Sequence, residues 1–203
     1  MSQSIQKING VSQNYATKDG NTKRGVNFYG CPKVPNVAGV VSLRNLTNST
    51  VLAAAMTELG LIDIPRTVNI TVVDTTPSIV AGKITVNGYD MNGELQSEVF
   101  DITAGAGLIK AGFKVFAHLT SVVVSDFAAA ELGGAGDETY IVTWHGATWG
   151  VPVPIGAKLV GATCVCNGAI EPTVAIDKAN NSVVFTSANN GTRIFWAEFE
   201  YEE

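Results

Sequence analysis

The sequence predicts a mainly β protein: an antiparallel β-sandwich, Ig-like or jelly-roll-like, with an extended N-terminal arm and at most one short helix. Three observations carry this. Between Ile84 and Trp144, runs of β-branched and aromatic residues alternate apolar with polar positions, the period of half-buried strands. Turn residues punctuate those runs at short intervals. The 21 glycines, with abundant Val, Thr and Asn, favour extended structure joined by tight turns.

The central strands justify themselves in turn. Ile84, Val86 and Gly88 alternate with Thr85, Asn87 and Tyr89. Asn92-Gly93 then signals a type I′ hairpin turn, in which both central residues take positive φ. Glu94 to Ile102 is the returning strand, with Leu95, Val99 and Phe100 as its apolar members. Phe113 to Val124 and Tyr140 to Trp144 supply two more strands.

Ahead of this centre, residues 1–36 read as an arm in which Ser, Gln, Asn, Lys and Gly dominate and apolar residues are scattered singly. Alone, such a segment cannot bury enough apolar surface to offset its ordering entropy. It is either a flexible tail or is ordered by lying on something else. Lys7, Lys18, Lys23, Arg24 and Lys33 gather here against Asp19 alone, so an acidic neighbouring subunit is one natural support. Residues 37–146 form the core domain. It opens with a short strand, Val40 to Leu43, followed by Asn48-Ser-Thr-Val-Leu-Ala-Ala-Ala-Met. Ser49 or Thr50 as N-cap, the Ala/Leu/Met run and Gly60 as stop predict one helix of about ten residues. A strand is the alternative, because Val51 and Leu52 sit in a β-rich context. Pro65 holds Ile64 extended, and Arg66 to Val73 alternates as a strand.

Residues 147–203 begin with a Pro/Gly-punctuated crossover, Trp149 to Gly156, that excludes a central strand. Strands follow at Lys158 to Cys166, Thr173 to Ile176, Ser182 to Thr186 and Thr192 to Tyr201. They either complete the first sandwich or form a second small layer.

Composition narrows the function. Net charge is −5 with a pI near 5.0, whereas a duplex binder presents a basic stripe, so nucleic acid is not an expected partner. No run approaches the ~18 apolar residues of a membrane span, so no membrane is expected either. The polar start, Met1 to Lys7, has no apolar h-region and predicts no secretory signal. Cys31, Cys164 and Cys166 then read as free thiols from a reducing compartment, and the sequons at Asn45, Asn48, Asn69 and Asn190 as chance matches.

Candidate chemistry is sparse. Cys164 and Cys166 share one strand face, but two further ligands would have to come from Cys31, His118 and His145, and the spacing is not that of a zinc knuckle. Neither His comes with a Gly-x-Ser-x-Gly or comparable nucleophile element. The loops at Ala104 to Leu108 and Leu132 to Glu138 lack the Gly-Lys-Ser/Thr of a phosphate loop. Asp137-Glu138 and the Asp90/Glu94 pair are the carboxylates available for glycoside chemistry. Trp144, Trp149 and Trp196, with Tyr89 and Tyr140, are candidates for a sugar-stacking platform, although most such aromatics serve a core or an interface. No catalytic residue, metal or cofactor is therefore expected.

One further pattern runs along the chain: Ile64-Pro-Arg-Thr-Val-Asn-Ile, then Val86-Asn-Gly-Tyr-Asp-Met-Asn-Gly-Glu, then Glu98-Val-Phe-Asp. It continues as Lys114-Val-Phe-Ala-His-Leu-Thr-Ser-Val, Gly134-Ala-Gly-Asp and Gly150-Val-Pro-Val-Pro-Ile. From roughly residue 60 to residue 200 this series resembles a group of small structural proteins from the virion modules of tailed bacteriophages. The likeness is one of pattern. His118 stands where that group has an apolar or small residue, and the arm and the stretch before Pro65 match less well. The resemblance implies a non-enzymatic virion protein made in the host cytoplasm, best placed as a head decoration (cement) protein that stabilises the shell. Its implied partners are the major capsid protein and copies of itself, with a trimer favoured. The implied capsid contacts lie on the arm: Lys7, Lys18, Lys23, Arg24, Phe28, Tyr29 and Lys33. A tail, neck or fibre-base protein is the near alternative, a carbohydrate-binding β-sandwich the alternative from another class, and a glycosidase the distant third.

Overall fold

The computed structural model describes residues 4–8, 11–18, 22–35, 39–52, 55–56, 64–75, 79–103, 108–128, 138–150, 158–159, 165–166, 169–170, 174–177, 179–180 and 182–202. For 4–28, 147, 149–150, 165–166, 170 and 201–202 it describes the backbone alone. The chain divides into two units, one of residues 1–34 with 146–203 and the other of residues 35–145.

In chain order, β1 (Ser4–Ile8), β2 (Val11–Lys18) and β3 (Thr22–Gly30) make an antiparallel meander. Then come β4 (Val41–Asn45), β5 (Ser49–Leu52), β6 (Arg66–Asp74), β7 (Ala81–Tyr89), β8 (Leu95–Thr103), β9 (Leu108–Ala111) and β10 (His118–Ser125). The long β11 (Glu138–Gly150) begins in the second unit and ends in the first. Short strands follow: β12 (Lys158–Leu159), β13 (Val165–Cys166), β14 (Ala169–Ile170), β15 (Ala175–Asp177) and β16 (Ser182–Val184). The last is β17 (Phe195–Glu202). The described residues contain no α-helix, and the fold is mainly β.

The unit of residues 35–145 is a sandwich. One sheet runs β5-β10-β7-β8; facing it, β4, β11, β6 and β9 follow one another in the second sheet. Alternation does the sorting. Ile84 and Val86 on β7, Phe100 and Ile102 on β8, and Leu119, Val122 and Val124 on β10 point inward. They meet Val68, Ile70 and Val72 of β6 and Tyr140, Val142 and Trp144 of β11 in one buried cluster. A β-bulge between Leu119 and Ser121 resets the parity of β10, so that Leu119 and Val122 both face the core. Gly88 permits the close pairing of β7 with β10, because a Cβ there would lie 2.2 Å from the His118 carbonyl oxygen.

Two local expectations change. Ser49 to Leu52 begins no helix: it is β5, paired antiparallel with Ser121 to Val124 of β10. The would-be caps are engaged elsewhere. Ser49 donates its hydroxyl to the Thr47 carbonyl at 3.0 Å, and the Asn48 amide pairs with Phe127, donating to its carbonyl and accepting from its N–H. Much of the remaining helix segment, 53–54 and 57–60, lies outside the described residues. The hairpin turn between β7 and β8 is also not type I′. The Asp90 carboxylate accepts the N–H groups of Asn92 and Glu94, each at 2.8 Å, and the Gly93 N–H closes on the Asp90 carbonyl. Only Gly93 has a positive φ, +82°. The aspartate thus sets a right-handed turn ended by one left-handed glycine.

In the unit of residues 1–34 and 146–203, the sheet order is β1-β2-β3-β17-β13-β14, with β12 also on β17. The leading segment is therefore extended and paired with the last strand of its own chain. Register explains the match of charges: Arg24 lies opposite Glu200, and Lys158 lies opposite Glu200 on the other side. Tyr29, Phe185 and Phe195 stack edge-to-face at 5.7 and 5.2 Å and anchor this unit's core.

Candidate functional site

The surface with the most unusual chemistry is the outer face of the sheet β5-β10-β7-β8. The ladder fixes its rows. Leu95, Tyr89 and His118 form one row; Ser97, Asn87, Ser121 and Leu52 the next; Val99, Thr85, Val123 and Thr50 a third; Asp101, Lys83 and Ser125 the last. At a strand spacing of about 4.8 Å, neighbours in a row are in van der Waals reach.

Four sizeable apolar or aromatic side chains stand out on this face: Leu95 is 75% exposed, Leu52 63%, Val99 53% and Tyr89 37%. The polar groups between them are mostly small and uncharged. The Asn87 amide donates to the Ser121 hydroxyl at 3.0 Å, and Lys83 pairs with Asp126 at 3.0 Å. The Tyr89 and His118 rings stack at 6.3 Å with 28° between planes. Such a face has little net charge, so covering it costs little desolvation.

The rim beside β8 is built by a buried carboxylate. Glu98 lies on the core side of β8 between outward Ser97 and Val99 and is almost fully buried. It accepts the Phe113 N–H at 2.6 Å and reaches the Lys114 N–H at 3.3–3.4 Å. Desolvation by this burial raises its pKa above the usual carboxylate value, against the lowering effect of those N–H groups and of the Lys114 charge. Gly112 leaves room for the arrangement, since a Cβ there would lie 2.6 Å from the carboxylate. The result is a fixed loop that presents Phe113 to solvent beside β9, the last strand of its sheet among the described residues.

The sequence-derived candidates fall as follows. Lys7 lies on β1, Lys18 on β2, and Lys23, Arg24 and Phe28 on β3, with only their backbones described. Lys33 is exposed, while Tyr29 is 4% exposed with its ring against Phe185. That burial makes Tyr29 a core residue and removes it from the capsid-contact set. Trp144 and Tyr140 are buried in the sandwich core, and Trp196 is half-buried on β17. Of the aromatic platform, Tyr89 alone is exposed with its side chain described, and its stacking partner is His118. The Trp149 side chain, Cys164 and Asp137 lie outside the described residues, as does the Cys166 side chain. Cys31 is a free, exposed thiol. Burial lowers the pKa of His145. Asp90 is occupied by its turn, and Glu138 is buried.

Among the described residues no group of three or more His, Cys, Asp or Glu is placed to hold a metal, and no helix is long and apolar enough to cross a membrane. The outward Leu95 and Val99 were hidden in the sequence by the inward Glu98. Comparison with protein-family models, with curated proteins and with solved structures finds no match to this chain.

Proposed function

We propose that the chain is a non-enzymatic structural protein of a tailed-bacteriophage virion, a decoration (cement) protein that binds the outer surface of the head and stabilises the shell. Its partners in this reading are the major capsid protein and further copies of itself, with a trimer favoured at local three-fold positions. The observation that carries the reading is the outer face of β5-β10-β7-β8. Its exposed Leu52, Leu95, Val99 and Tyr89 lie among mostly small, uncharged polar groups, a composition suited to burial against a protein lattice. The segments of phage-like pattern, Val86 to Glu94, Glu98 to Asp101 and Lys114 to Val122, fall on or beside the neighbouring strands of that same sheet.

A second reading has one specific support. The stacked Tyr89 and His118 rings are exposed and could lie against a sugar ring. Adding the purified chain to heads that lack it separates the two. A cement protein raises the rupture temperature of the heads with the dependence on concentration that mass action demands. Absence of head binding, with saturable glycan binding lost in Tyr89→Ala, would replace the first reading by the second.

A further inference from the structure

We propose that a hollow at the β4/β5 side of the sandwich binds a small ligand carrying an anionic oxygen group: a carboxylate, sulfate or phosphate. The hollow measures about 690 Å³, within the range of roughly 300–1,000 Å³ typical of small-molecule sites. Its polar groups come from three strands. Arg44 and Asn45 end β4, Thr50 lies on β5, and Tyr140 lies on β11. Val51 and Leu52 supply an apolar wall for a carbon skeleton.

The pairing of β4 with β11 sets Arg44 directly opposite Tyr140, so their side chains leave the sheet on the same face. Tyr140 is 1% exposed, and its hydroxyl has no hydrogen-bond partner among the described residues. Protein interiors rarely leave such a group unmet. Burial raises the pKa of this phenol, while the nearby Arg44 guanidinium acts in the opposite direction. Both residues line the same hollow. Among the described residues, Arg44 is exposed and forms no ion pair, and no carboxylate lines the hollow.

Donor accounting sharpens the ligand class. The Ser49 proton goes to the Thr47 carbonyl at 3.0 Å, which leaves the Thr47 hydroxyl to donate across the 3.2 Å contact with Ser49. Those two hydroxyls are occupied with each other. Among the described residues nothing engages the guanidinium fork, the Tyr140 hydroxyl, the Thr50 hydroxyl or the Asn45 amide, all able to donate to an oxyanion. Arginine beside a desolvated phenol selects a negative oxygen group over a neutral sugar hydroxyl, because a charge-assisted bond is about twice as strong as a neutral one.

The test is calorimetric titration of the full chain with N-acetylneuraminate, with inorganic phosphate and with methyl galactoside as the neutral control. Saturable binding of at least one anionic probe, weaker for the galactoside, is expected. Neuraminate alone would identify a sugar acid, and phosphate alone a phosphate group. Arg44→Gln and Tyr140→Phe should each weaken binding about tenfold or more. Tyr140→Phe should also melt no lower than the parent protein, since it removes a hydroxyl with no partner among the described residues. Failure of both anionic probes at millimolar concentration would overturn the proposal. So would equal binding of the galactoside, unchanged affinity in both variants, or a clear loss of stability in Tyr140→Phe. Heads play no part in this experiment, so its outcome is independent of the capsid reading.

Discussion

Glu98→Ala probes the device that fixes the Phe113 loop beside β8. The Glu98 carboxylate accepts the Phe113 N–H at 2.6 Å, a bond of the charged class worth about 1.5–3 kcal/mol. The Lys114 contacts at 3.3–3.4 Å are at the outer limit of hydrogen-bond length and add little. Against these gains stands the cost of holding the charge out of water, which raises the Glu98 pKa. Alanine removes the acceptor and leaves the Phe113 N–H unmet, so a net loss of about 2–3 kcal/mol is expected in urea unfolding at neutral pH. Glu98→Gln keeps a carbonyl acceptor without the charge and should cost about 1 kcal/mol or less. The pH dependence gives an independent check. A folded-state pKa above the ordinary 4.5 means that the folded chain retains this proton longer than the unfolded chain does. Its contribution is complete below about 4.5 and is lost as pH rises through the folded value. The stability of the parent protein minus that of Glu98→Gln should therefore fall as pH rises from 4.5. An alanine variant within about 0.5 kcal/mol of the parent, or a difference that does not change with pH, would refute the reasoning.

Four other expectations follow, the last from the proposed function. Gly88→Ala places a Cβ 2.2 Å from a backbone oxygen of the neighbouring strand; it should cost about 3 kcal/mol or prevent folding, read by denaturant titration or soluble yield. His145, whose pKa is lowered by burial, favours the folded state when neutral. That contribution is present above the ordinary value of 6.5 and is lost as pH falls through the folded value, and His145→Gln should remove the step from the acid side of the stability profile. Leu95→Asp with Val99→Asp alters only exposed positions on the outer sheet face, so stability should change by about 0.5 kcal/mol per site or less while binding to heads is lost. The proposed trimer predicts three copies of the 21.3 kDa chain by light scattering, and a strict monomer would remove the preassembled-trimer version.

The hairpin of β7 and β8 was legible because Ile84, Val86 and Gly88 alternate cleanly and Gly93 marks the turn. Its outer face was not. Leu95, Val99 and Phe100 read as one apolar set, yet adjacent residues in a strand face opposite ways, and Phe100 shares the inner face with Glu98 and Ile102. A buried carboxylate breaks the binary pattern, and only the position of Phe113 explains it. The helix expectation at Ser49 followed local propensity, whereas pairing with β10 and the side-chain bonds of Asn48 and Ser49 decide that segment. The pairing of the leading segment with β17 joins residues at opposite ends of the sequence, and no local pattern encodes it. The hollow was equally hidden, because Arg44 and Tyr140 are neighbours only through the β4–β11 ladder.

The most direct measurement is an electron cryo-microscopy reconstruction of the phage particle that the proposed function assigns to this chain, at a resolution that separates strands. The proposed function predicts the sandwich of residues 35–145 on the outside of the head at three-fold positions, with the face of Leu52, Tyr89, Leu95 and Val99 against the capsid lattice. Density for the chain in the tail or neck, or a head surface without it, would contradict the account. So would a bound chain whose β5-β10-β7-β8 face remained open to solvent.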